Sequence, residues 1–114
     1  MHDGSMADKA AKLRLDEMNR IKRLLSEAGL TLTGIDKDYR LAKGTCGNTL
    51  QQANAAGERA IAAALRVRPE HLWRTRYHGD GRRRSPQPKE NYVRPPSMRD
   101  RRAAHESSSR HEAA

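Results

Sequence analysis

The chain has 114 residues, a formal net charge of +9, 35% hydrophobic residues, no Phe and a single cysteine. That length allows one domain with a small aliphatic core, and one thiol excludes an internal disulfide. No apolar run reaches bilayer-spanning length, no secretory leader is legible, and the charge favours a polyanion such as nucleic acid.

Residues 1–14 read as a flexible N-terminus, small and polar through residue 12. Met1–Ser5 reads as an appended leader, with Met6 as the natural start. Asp16 to Ala28 predicts the first helix. Met18, Ile21, Leu25 and Ala28 share one face at i, i+3, i+7 and i+10, Asp16 caps the start and Gly29 stops the end. Thr31 then caps a second helix over about 32–40, with Leu32, Ile35 and Tyr39 inward. Asp36 and Asp38 sit in its middle and end, where the helix dipole does not reward acids.

Leu41 to Lys43 reads as a turn. A third helix follows over about 43–53, with Cys46, Thr49, Leu50 and Ala53 inward, although Gly44 and Gly47 each weaken it by about 1 kcal/mol relative to Ala. Asn54 to Gly57 reads as a loop. Glu58 to Leu65 predicts a fourth helix, with Ala60, Ile61, Ala64 and Leu65 inward and Glu58 suited to its first turn. Pro69 suits the first position of a fifth helix over 69–77, with Val67 and Leu72 in hydrophobic-staple positions.

Composition changes after Tyr77. Residues 78–114 hold four of the five prolines, and nine Lys/Arg against five Asp/Glu. So little apolar surface cannot offset chain entropy, which predicts a disordered basic tail and a domain spanning 15–77.

The second and third helices have the length and rhythm of a helix-turn-helix, in which one helix supports and the next enters the major groove. Leu32, Ile35, Leu41, Cys46 and Leu50 would lock the pair. Lys43, Thr45, Gly47, Asn48, Gln51 and Gln52 would face outward. Asn and Gln can each pair with an adenine edge at two points, and Lys reaches guanine or phosphate. The plainer reading is a solvated surface helix. Trp73 and Tyr77, four residues apart, read as a core closure against the first helix, leaving Arg74 and Arg76 to project outward onto phosphates. Arg82, Arg83 and Arg84 form an arginine block in a Pro-flanked arm, suited to phosphate or the minor groove or to plain nonspecific attraction.

The order Gly29-Leu30-Thr31-Leu32, Asn48-Thr49-Leu50, Gly57-Glu58-Arg59-Ala60-Ile61-Ala62, Pro69-Glu70, Leu72-Trp73 and Arg76-Tyr77 resembles the Ner-like family, phage and bacterial DNA-binding regulators. The likeness covers about residues 15–92, continuing through Gly81-Arg82-Arg83-Arg84 and Glu90-Asn91-Tyr92. It implies a compact, all-α, five-helix λ-repressor-like domain that binds operator DNA, and control of early phage or prophage-like genes by promoter occlusion. Thr45, Asn48 and Gln51 correspond to the family's recognition helix by position. The chain departs from the family at Ala42-Lys43-Gly44-Thr45, Cys46, Gly47 and the loop from Gln51 to Ala56, where charge on the reading face is reduced.

Catalysis finds no support. His2, His71, His78, His105 and His111 are scattered, none at metal-ligand spacing with Cys46 or carboxylates, and Cys46 reads as a small buried hydrophobe. No metal, cofactor or membrane is expected. The expected partner is double-stranded DNA in the bacterial cytoplasm, with a homodimer on the DNA as the assembly considered. The competing reading is an adaptor on a helix-turn-helix scaffold, with RNA polymerase or a co-regulator supplying the specificity and activation as the outcome.

Overall fold

The computed structural model describes the backbone of residues 3–92 and the side chains from residue 9. Helix α1 runs over Asp3–Glu27, beginning well before Asp16. This corrects the flexible N-terminus. Ala7, Ala10, Ala11, Lys9 and Lys12 are strong helix formers and carry the helix past the last core-facing residue. Gly29 at φ +71° ends α1 as expected. Its N–H donates to Ser26 O, and the Leu30 N–H donates to Leu25 O at 2.9 Å, a Schellman closure that brings Leu30 back onto the core.

Helix α2 covers Leu32–Asp38 and is capped by Thr31, whose Oγ1 accepts from the Gly34 N–H at 3.0 Å. Ile35 is buried, but Tyr39 is 43% exposed, because it lies past the last helical residue rather than on the inner face. Helix α3 covers only Thr45–Gln51. Gly44 takes φ +91° at its N-cap, a left-handed conformation that suits a residue without Cβ. Cys46, Thr49 and Leu50 face inward as the spacing predicts, and Ala53 follows the helix half-buried.

Helix α4 covers Ala55–Leu65, so it begins three residues before Glu58. Asn54 caps it, its Oδ1 accepting from the Gly57 N–H, while Glu58 reaches back to accept from the Asn54 N–H at 2.8 Å. Helix α5 is a single turn, Pro69–Leu72, not the longer helix expected to Tyr77. At Trp73 the backbone leaves the helical region, and Trp73 and Tyr77 still both enter the core.

The core gathers Ile21 and Leu25 of α1, Ile35 of α2, Cys46 and Leu50 of α3, Ile61 of α4, and Leu72, Trp73 and Tyr77. Helices α2, α3 and α4 pack mutually, and α5 packs on α4. Gly57 makes the α3–α4 approach close, since a Cβ there would overlap the Thr49 hydroxyl. The described part is all-α with five α-helices and no strand.

The chain beyond Tyr77 corrects the disordered tail as far as Tyr92. Residues 77–83 form a small hairpin closed by an antiparallel bridge between Tyr77 and Arg83. Gln87 and Asn91 are buried, and Lys89–Tyr92 form a 3-10 turn. Few apolar residues are needed, because polar groups do the fastening. Gln87 Nε2 donates to the Arg76 and Arg84 carbonyls, and Asn91 Nδ2 donates to Thr75 O and Gln87 Oε1. The folded unit thus extends past 77 to Tyr92, and the remainder of the expected tail lies outside the described residues.

Candidate nucleic-acid interface

The pairing of α2 and α3 rests on Asp36. Its carboxylate is 3% exposed and accepts from two backbone donors of the next helix, Gly44 N–H at 2.9 Å and Cys46 N–H at 2.8 Å. Helix α2 therefore supplies the N-terminal cap of α3, which has no side-chain cap of its own at Gly44. Burial opposes the Asp36 charge, but the Cys46 and Gly44 donors outweigh it and hold its carboxyl below the ordinary range. Burial and the adjacent Asp36 push the Cys46 thiol up to about 12, so Cys46 stays a neutral core residue.

The outward residues of this helix pair are unevenly available. Lys43, Asn48 and Gln52 are exposed. Thr45 is half-buried, its hydroxyl donating to Ala42 O at 2.6 Å. Gln51 is half-buried in a narrow cleft beside Arg14, Met18 and Thr75. Gln52 lies at the C-cap, in extended backbone just past the helix.

The second constellation centres on Glu58, which is fully buried. Its carboxylate accepts from the Asn54 N–H, from Tyr77 Oη at 2.9 Å and from Arg76 Nη1 at 3.3 Å. It also takes a two-point contact from Arg83, through Nε at 2.9 Å and Nη2 at 3.2 Å. Burial, then Glu58, pushes the Tyr77 phenol up to about 12. The hydrogen bond to Glu58 raises Arg83 above its usual range. Arg76 is 5% exposed and lies with its guanidinium carbon 5.2 Å from the Trp73 ring centroid.

These contacts correct two sequence expectations. Arg76 does not project outward, and Arg83 is drawn to the buried carboxylate rather than left on a free arm. The cause is one uncompensated buried acid, which requires cationic partners. Arg74 is exposed, and Arg82 stands on the hairpin with its side chain 85% exposed. Asp80 holds that turn, accepting from the Arg82 N–H at 3.0 Å, and Gly81 takes φ +93° there. Arg84 is half-buried beneath the hairpin.

Sequence reasoning missed Asp36, Glu58, Gln87 and Asn91. The first two carried a signal. Asp36 is an acid at a position the helix dipole disfavours, which points to donors from elsewhere. Asn54 followed four residues later by Glu58 is a cap with an acid able to reach back. Gln87 and Asn91 lie in the segment that the family resemblance covers, but nothing in the sequence shows which groups they bond.

Two negative observations bound the site. Among the described residues no group of three His, Cys, Asp or Glu side chains is placed to hold a metal ion. No helix among them is long and apolar enough to cross a membrane.

Residues 17–89 match a family described as winged helix-turn-helix DNA-binding. Neither the curated proteins nor the solved structures give a match. The matched span starts within α1, takes in α2 and α3 with their Asp36 link, and runs through the hairpin to Lys89. It covers well over half of the sequence, and the chain belongs to the winged helix-turn-helix DNA-binding family.

Proposed function

We propose that this protein is a sequence-specific DNA-binding transcription regulator of phage or prophage-like genes, of the Ner-like kind. Helix α3 docks in the major groove. Asn48 and Gln52 address base edges, Lys43 reaches guanine or phosphate, and Thr45 and Gln51 make supporting contacts from the flanks of the helix. Arg74, Arg82 and Arg84 hold phosphates, which set register without reading sequence. The carrying observation is the capped α2–α3 pair, which leaves Asn48 exposed on α3, with Lys43 exposed in the turn before it and Gln52 exposed at its C-cap.

Repression by occluding a promoter is the simplest mechanism, since it requires only occupancy. A second reading is favoured by the modest charge of that face, where Lys43 is the one cation among the five proposed contacts. In it the domain is an adaptor that activates transcription by recruiting RNA polymerase or a co-regulator. Genome-wide occupancy in the source cell separates the two. A few sharp sites sharing one sequence support the regulator. Diffuse occupancy that vanishes without a protein partner supports the adaptor.

A further inference from the structure

Three helices close in the same way, and two of them do so against the preference of the position. After α1 the left-handed residue is Gly29, at φ +71°. After α2 it is Arg40, at φ +56°, and after α4 it is Arg66, at φ +60°. In each case the next residue's N–H reaches back into the helix, Leu30 to Leu25 O, Leu41 to Asp36 O and Val67 to Ala62 O. A Cβ is disfavoured in this conformation, so glycine is the residue the backbone prefers there. Nothing within the chain compensates for arginine at position 40. Its side chain is exposed and makes no hydrogen bond or ion pair among the described residues.

The turn that carries Arg40 is held at both ends by one residue. The Asp36 carbonyl accepts from the Leu41 N–H at 2.8 Å, while the Asp36 carboxylate accepts from Gly44 and Cys46. Leu41 packs against the core, and Thr45 fastens to the Ala42 carbonyl through its N–H at 3.0 Å and through its hydroxyl. Tyr39, Arg40 and Lys43 stay exposed on this clamped turn, which leads directly into α3. Helix α3 itself, Thr45–Gln51, contains no Lys or Arg. A donor placed in advance loses less freedom on binding than one on a flexible arm.

We infer that Arg40 is a specificity-determining residue that reads a guanine at the edge of the site addressed by α3, its guanidinium donating to guanine O6 and N7. The inference rests on the DNA-binding reading of α3 and adds to it a base contact made from the turn. A planar guanidinium presents two parallel donors that match these two acceptors, and no other base offers the same pair in the major groove. Reading a base edge demands a fixed donor, which the clamped turn provides. Strain at an exposed side chain with no partner of its own is accounted for by a partner outside the chain.

The test compares the full chain with Arg40→Gly and Arg66→Gly, by thermal melting and by selection of bound duplexes from a random pool. Each variant relieves one left-handed arginine and removes one positive charge, so each is expected to melt above the wild type. The wild type is expected to enrich a motif with a guanine at one edge. Arg40→Gly is expected to keep the rest of that motif and to lose preference for that guanine by roughly 5- to 150-fold, whereas Arg66→Gly keeps the motif entire. A motif unchanged by Arg40→Gly overturns the inference and leaves the α3 reading standing. Equal weakening on every duplex, with a shallower salt slope, also overturns it by placing Arg40 on phosphate. A lower melting temperature for Arg40→Gly overturns it too, since the arginine would then serve the fold. Absence of any motif from the wild type fails the α3 reading itself, and the inference with it.

Discussion

Asp36 of α2 accepts a hydrogen bond from the Cys46 backbone N–H of α3 at 2.8 Å, and a second from Gly44 at 2.9 Å. One carboxylate thereby fixes both the start of α3 and its angle to α2. Asp36→Ala strands one buried donor, Cys46 N–H, and one part-buried donor, Gly44 N–H, and is expected to cost about 1.5–3 kcal/mol in urea denaturation, the worth of bonds to a charged group. Its pH dependence has a definite sign. The folded carboxyl titrates below its unfolded value, so the unfolded chain binds more protons in between. The stabilisation is complete above the unfolded value and is lost as pH falls through the folded one. Wild-type stability is expected to drop on acidification more steeply than that of Asp36→Asn, as melting curves across the acid range will show.

Glu58 joins the start of α4 to Tyr77 and to the hairpin through Arg83. Removing one member of a buried ionic cluster leaves the others uncompensated, and Glu58→Ala is expected to cost about 3–5 kcal/mol. The Tyr77 phenol gives an independent readout. Its folded value of about 12 lies above the ordinary phenol, so the neutral form is favoured in the fold. That contribution is present below about pH 10 and is lost as pH rises toward the folded value. Tyrosinate absorbance is expected to show one late-ionising tyrosine that is missing in Tyr77→Phe.

Much of this architecture is legible in the sequence, for identifiable reasons. Thr31, Gly29 and Pro69 act through short-range geometry, so the boundaries they set were readable. The inward residues Ile21, Leu25, Ile35, Cys46, Leu50 and Ile61 follow from helical spacing alone. Tyr39 fails that test because its helix ends at Asp38, one residue before it. The fastening of residues 78–92 was not legible, because it relies on Gln87 and Asn91 bonding to carbonyls far along the chain. The same holds for Arg76 and Arg83. An arginine looks alike in sequence whether it meets a phosphate or a buried Glu58.

Two truncations distinguish the fastened segment from the residues beyond Tyr92. Ending the chain after Tyr92 is expected to preserve cooperative melting, and to weaken binding to all duplexes alike by removing distal positive charge. Ending it after Tyr77 removes Arg83 from Glu58 and the Asn91 carbonyl that accepts from the Ala53 N–H beyond α3. That shorter chain is expected to lose its cooperative thermal transition, which calorimetry will register.

Gly57 tests the seating of α3 from the other side. A Cβ at this position would overlap the Thr49 hydroxyl and stand 2.8 Å from Thr49 Cβ. Overpacking of this kind costs about 1–3 kcal/mol even though alanine favours a helix. Gly57→Ala is expected to lower the melting temperature and to reduce discrimination between duplexes, because α3 must move away from α4. Paired denaturation and competition binding will check both effects.

The proposed base reading by Asn48 of α3 and by Gln52 at its C-cap is best tested by selecting bound duplexes from a random pool. The full chain is run in parallel with an Asn48→Ala/Gln52→Ala variant. Enrichment of one short motif by the wild type is expected, with the variant losing about 1–3 kcal/mol of discrimination at specific base pairs while keeping its nonspecific affinity and salt slope. No enriched motif, or the same motif at equal strength from both proteins, would refute base reading by α3.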